Sequence, residues 1–78
     1  MTKDEAIDLI ARGLKKVTGK NIEFDMETDL IESEILDSLD SMVFIFELET
    51  GSGVKFPETD LEEENFFQVR KLIDYLTK

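Results

Sequence analysis

Cysteine, histidine and tryptophan are all missing from these 78 residues, and Pro57 is the single proline. Without cysteine there is no disulfide framework, no thiolate zinc site and no thiol nucleophile in the polypeptide. Without histidine, the side chain most used for proton transfer near neutral pH and for metal ligation is also lost. Together these absences weigh against a free-standing enzyme, and no metal site is expected. Long hydrophobic runs are missing too. No stretch approaches the roughly 18 apolar residues of a membrane span, and the N-terminus lacks the continuous apolar segment of a signal peptide, so the expected location is the cytoplasm, without membrane insertion. Bases are scarce: nine Lys and Arg stand against nineteen Asp and Glu, a net charge of −10.

The deficit of bases is local. Residues 25–64 hold fourteen acids and one base, Lys55, while the flanks carry more bases than acids. Such a middle is either a solvated face that favours solubility or a docking surface that steers Lys- and Arg-rich partners toward it and repels nucleic acid. What the chain does have is 41% apolar residues, six of them Phe. That is enough for one modest core, so residues 1–78 are expected to form a single domain.

The expected fold is all-α. Thr2 and Glu5 have the spacing of a capping box, which starts a helix at about Lys3. Ala6, Ile7, Ile10, Leu14 and Val17 form its apolar stripe, and Gly19 is placed to end it. From Lys20 to Asp37 the helical period is lost. Ile22, Phe24 and Met26 alternate with polar residues as a strand would, with Val54–Phe56 as a possible mate. A long loop pinned to the core is favoured, because two short isolated strands make a marginal sheet. Leu30, Ile31, Ile35 and Leu36 supply further anchors, with Thr28 or Asp29 able to cap a single turn. After the next helix, Gly51 is expected to close it. Thr59 with Glu62 then predicts a short helix from Asp60 to about Glu64. Asn65 with Gln68 offers a third capping pair, for a last helix built on Phe66, Val69, Leu72, Ile73 and Leu76. The expectation is three main helices and one short one, with the long loop between the first two main helices.

The second main helix, opening at Asp37-Ser38, is apolar on two sides. At 100° per residue Phe44, Ile45 and Leu48 gather on one side, and Leu39, Met42, Val43 and Phe46 gather roughly opposite. Asp40 and Glu47 share one flank, Ser38 and Glu49 the other. A small bundle buries one stripe of such a helix. The second stripe is therefore either core, in a helix buried nearly all round, or exposed for a partner. Asp and Ser at a helix start are favoured caps in any protein. Here, though, the serine also ends a long loop, where amide hydrogens and the positive end of the helix dipole favour an attached phosphate.

Asp37-Ser38-Leu39-Asp40, the apolar Met42, the pair Phe44-Ile45, and Leu48-Glu49 together resemble the attachment region of acyl carrier proteins. Helix order, loop placement and length are similar over essentially the whole chain, and Asn65-Phe66 through Leu72, Tyr75 and Leu76 looks like the last helix of stand-alone members. The resemblance implies that Ser38 bears 4'-phosphopantetheine, joined by a phosphopantetheinyl transferase, with Asp37 beside it as cap or as a carboxylate for the transferase's metal. It implies a monomeric, non-catalytic carrier of acyl thioesters in fatty acid, lipid or secondary-metabolite synthesis. Its partners would be acyl-transferring or acyl-activating enzymes with basic docking surfaces, met by Leu39, Met42, Val43 and Phe46 and by Asp37, Asp40, Glu47 and Glu49. Ser41 is a competing attachment serine that spoils the Leu48-Glu49 register. Glu34 stands in a region where carriers often have Gly, and Val43 and Phe46 make the helix more apolar than in a general fatty-acid carrier. Both departures suit a specialised member. The alternative is an unmodified acidic interaction adaptor on a carrier-like fold.

Overall fold

The structure, a computed structural model, describes residues 1–62 and 65–78. Among them four helices follow in chain order: α1 (Lys3–Thr18), α2 (Ser38–Ser52), the four-residue α3 (Glu58–Leu61) and α4 (Val69–Leu76). They form an all-α bundle of 26 × 25 × 22 Å with three longer helices and one short one, as the periodicity predicts.

α1 begins on the predicted box. Thr2 Oγ1 accepts the Glu5 amide at 3.2 Å and Glu5 Oε1 accepts the Thr2 amide at 2.9 Å. The Thr2 amide, more than its hydroxyl, holds the Glu5 carboxyl below its ordinary value. Gly19, at φ 76°, returns its amide to the Lys15 carbonyl. The buried face is Ala6, Leu9, Ile10, Gly13 and Leu14, with Ile7 and Val17 half-buried at its edges. Leu9 and Gly13 widen the predicted stripe because α2 comes very close there. A Cβ on Gly13 would stand 3.1 Å from the Phe44 ring, and one on Gly51 would stand 2.5 Å from Leu9 Cδ1.

That second contact corrects the expected end of α2. Gly51 is inside the helix, where its missing side chain admits Leu9, and the helix continues to Ser52. Gly53, at φ 75°, supplies the left-handed residue whose amide meets the Glu49 carbonyl. Two more boundaries differ. α3 starts at Glu58 behind Pro57, whose carbonyl accepts the Asp60 and Leu61 amides, so Thr59 lies inside the helix and no side chain caps it. Glu63 and Glu64, at the expected end of that helix, lie outside the described residues. Asn65 does not cap a helix either. It sits at φ 60° and its carbonyl accepts the Gln68 amide, so Phe66 and Phe67 belong to a turn and α4 opens only at Val69.

The segment between α1 and α2 makes no strand among the described residues. Its backbone is tied across to the start of α4: the Leu30 amide donates to the Phe67 carbonyl (3.0 Å), the Val69 amide to Thr28 (2.8 Å) and the Arg70 amide to Met26 (3.0 Å). Asp29 and Gln68 form an isolated antiparallel bridge, and Arg70 pairs with Glu27 over the same seam. Ile22, Phe24, Met26 and Ile35 are half-buried and Leu30 and Leu36 fully buried, so the loop is pinned as expected, to α4 rather than to Val54–Phe56.

Phe44 and Phe46 lie two residues apart on α2, at 0% and 64% exposure. Phe44→Ala is expected to cost about 3–5 kcal/mol, a large part of a small domain's stability, and Phe46→Ala to stay within about 0.5 kcal/mol. Urea unfolding of the two variants separates the faces, and similar losses would contradict this packing. For Glu5 the folded value is the lower one, so its contribution is complete above the ordinary carboxylate range and disappears as pH falls through the folded value. The stability difference between wild type and Glu5→Gln should therefore shrink toward acid pH in thermal scans. A difference independent of pH would count against the box.

Candidate functional site

The start of α2 is built by one carboxylate. Asp37 is the N-cap in extended backbone (φ −90°), and its Oδ1 accepts the Asp40 amide at 2.7 Å while its carbonyl accepts the Ser41 amide at 2.9 Å. The Ser38 and Leu39 amides in between have no partner among the described residues. They point out of the helix end, where the backbone dipoles leave partial positive charge. Ser38 is exposed, and its hydroxyl makes no hydrogen bond among the described residues. An acceptor of phosphate type on Ser38 Oγ would find those donors beside it, so the residues present fit a phosphodiester.

Ser41, the competing serine, is in a different state. It is 7% exposed, and its hydroxyl donates to the Ser38 carbonyl at 2.7 Å. An incoming enzyme would have to break that bond and unpack the helix to reach it.

Two adjoining surface grooves of about 400 Å³ and about 450 Å³ meet at Ser38 and share Ser41, Leu61 and Phe67. The first continues past Ile31, Phe66 and Asn65, with Asp29 and Glu32 at its polar edge. The second runs along Met42, Glu58 and Glu62. Leu61 of α3 lines both, and Phe66 joins the first groove to an aromatic cluster. Phe56 stacks on Tyr75 with centroids 4.8 Å apart, Phe66 meets both edge-on at 5.9 Å, and the Tyr75 hydroxyl donates to Asp60 at 2.7 Å.

The second stripe of α2 is outside. Leu39 is 74% exposed, Met42 57% and Val43 47%, and with Phe46 they form a continuous apolar face that starts one residue after Ser38. The expected acids divide. Asp37 is exposed, and Asp40 is half-buried. Glu47 is paired with Lys16 at 3.2 Å, and Glu49 Oε2 accepts the Phe56 amide at 2.8 Å, so the last two brace α2 against α1 and against the segment before α3.

The strain in the loop before Ser38 leaves one trace in the sequence. Asp29 Oδ1 accepts the Ile31 and Glu32 amides, and the Glu34 amide returns to the Ile31 carbonyl, making one tight turn. Glu34 closes that turn at φ 63°. A side chain in this region costs about 1–2 kcal/mol that glycine would not. The signal was the presence of Glu where Gly fits.

Residues 8–76 match the family described as the phosphopantetheine attachment site. The chain is also similar to D-alanyl carrier protein 1 and D-alanyl carrier protein 2 of Lactiplantibacillus plantarum. Each is 25% identical over 73 residues, covering 94% of this chain and 91% of the relative. No solved structure matches.

Asp37→Ala is expected to destabilise the domain by about 0.5–2 kcal/mol, while Asp37→Ser, which keeps an acceptor, should recover most of that. Chemical unfolding of both variants measures it, and a silent Asp37→Ala would mean that the carboxylate does not cap α2.

Proposed function

We infer the attachment point from a plain premise: the chain belongs to the family of carrier domains defined by a phosphopantetheine attachment site. Ser38 bears the group, and the observation that carries this reading is the exposed Ser38 hydroxyl at the start of α2, which, like the two amides beside it, has no partner among the described residues. In loading, Ser38 Oγ attacks the β-phosphorus of coenzyme A on a phosphopantetheinyl transferase. The new O–P bond forms as the pyrophosphate link breaks, adenosine 3',5'-bisphosphate leaves, and the hydroxyl proton passes to a base of the transferase. The group supplies a terminal thiol, which this cysteine-free chain lacks, and that thiol holds acyl cargo as a thioester.

What the chain's own residues do is hold and present. Asp37 fixes the helix start, the Ser38 and Leu39 amides would serve as donors to an attached phosphodiester, and Leu39, Met42, Val43 and Phe46 form the docking face for cytoplasmic acyl-handling enzymes. Asp37 and Asp40 give that face an acidic rim for basic partners, and Glu47 and Glu49 add their charge to the field from their internal bonds. The cargo class is an acyl group of fatty acid, lipid or secondary-metabolite synthesis. The names of the two relatives extend it to an aminoacyl group such as D-alanine.

Incubation with coenzyme A and a transferase is expected to add one phosphopantetheine to the wild-type chain and to Ser41→Ala, and none to Ser38→Ala, as read by intact mass. Loading of Ser38→Ala would move the site. A wild-type chain left unmodified beside a control carrier that loads would favour the unmodified adaptor.

A further inference from the structure

Sulfur is confined in this chain to Met1, Met26 and Met42, since there is no cysteine. The three thioethers differ in their surroundings. Met26 is half-buried against the core, in the segment tied to α4. Met1 is 45% exposed, but it lies ahead of α1 and lines neither groove at Ser38. Met42 is 57% exposed, stands one helical turn beyond Ser38 and lines the second groove with it. We propose that Met42 is an oxidation site, where conversion of the thioether to a sulfoxide by peroxide weakens docking at the exposed face of α2. The inference rests on Leu39, Met42, Val43 and Phe46 being the docking face and on Ser38 being the attachment serine.

The step is a two-electron oxidation. A lone pair of Met42 Sδ attacks one oxygen of hydrogen peroxide, the S–O bond forms as the O–O bond breaks, and the proton left on the transferred oxygen passes to the departing hydroxide, so that peroxide is reduced to water. Loading directs the reaction to this residue. An acylated arm has its thiol masked as a thioester, which leaves Met42 as the accessible sulfur on the face that partners cover. The sulfoxide replaces an apolar group with a strong acceptor. In the free carrier water solvates it, because the buried face of α2 is Ser41, Phe44, Ile45 and Leu48 and does not include Met42. In a complex the same acceptor is held among Leu39, Val43, Phe46 and the apolar surface of the partner, where it has lost its water. The cost therefore falls on docking and not on folding, and reduction of the sulfoxide resets the face.

The test starts from a transferase that loads the untreated chain at Ser38, so failure at Met42 leaves the attachment itself standing. The carrier alone is treated with dilute hydrogen peroxide and the peroxide is removed with catalase. Peptide mapping, the thermal midpoint and kcat/KM for transfer from coenzyme A are then measured. Met42 should be oxidised well before Met26. With Met42 oxidised, kcat/KM should fall about fivefold, chiefly through a higher KM for the carrier, while the midpoint stays unchanged. Met26→Leu should show the same fall, and Met42→Leu should give the same kcat/KM before and after treatment. Methionine sulfoxide reductases of both epimer specificities should together restore the oxidised wild type. The proposal is overturned if Met26 is oxidised as fast as Met42, if the midpoint falls along with kcat/KM, or if Met42→Leu loses as much as wild type. It is equally overturned if a chain fully oxidised at Met42 loads within about twofold of the untreated one.

Discussion

One face of α2 is committed by how near α1 comes. Gly13 lies under the Phe44 ring and Gly51 under Leu9, and at both points a single methyl group would crowd its neighbour. That approach seats Phe44, Ile45 and Leu48 in the core and, by the geometry of a helix, turns Leu39, Met42, Val43 and Phe46 the other way. No other element covers them among the described residues. The Asp37 cap then fixes where the helix starts, so the exposed stripe and the Ser38 hydroxyl are presented by one rigid body. The α1–α2 contact thus supports the site without including any residue of it.

The same packing redistributes the acidic charge. Glu47 and Glu49 look from the sequence like part of an outer acidic surface, yet one pairs with Lys16 and the other holds the Phe56 amide. They brace the two sides of α2, and the carboxylates left to face an incoming enzyme are concentrated toward its start, around Asp37 and Asp40, with Glu34 on the turn before them. A partner steered by charge is thereby directed to the serine end of the helix rather than along its whole length.

What could be read from the residues follows the range of the forces involved. α1 was legible to its ends, because Thr2, Glu5 and Gly19 act within a few residues of themselves. The two stripes of α2 were legible as a pattern. Which of them is buried was not, since that depends on Gly13 and Gly51 meeting side chains of another helix. Gly51 reads as a stop for the same reason: a glycine needed for close approach and one needed for a left-handed turn look alike in sequence, and Gly53 is the turn. The late start of α4 was also hidden. The backbone at 67–70 is taken up by bonds to Met26, Thr28 and Leu30, some forty residues away, and no local signal records that. Of the candidate site, Asp37 and Ser38 were legible as a cap and its neighbour, whereas the strain at Glu34 required backbone angles.

Ser38 and Ser41 are two hydroxyls one helical turn apart with different surroundings: one exposed and without a hydrogen bond among the described residues, the other 7% exposed and tied to a carbonyl. Tandem mass spectrometry of the loaded chain, fragmented between Leu36 and Phe44, tests most directly which of them bears the group. The phosphopantetheine should be carried by fragments that contain Ser38 and be absent from those that contain Ser41 alone. Its appearance on Ser41, or on a serine outside this stretch, would contradict the account.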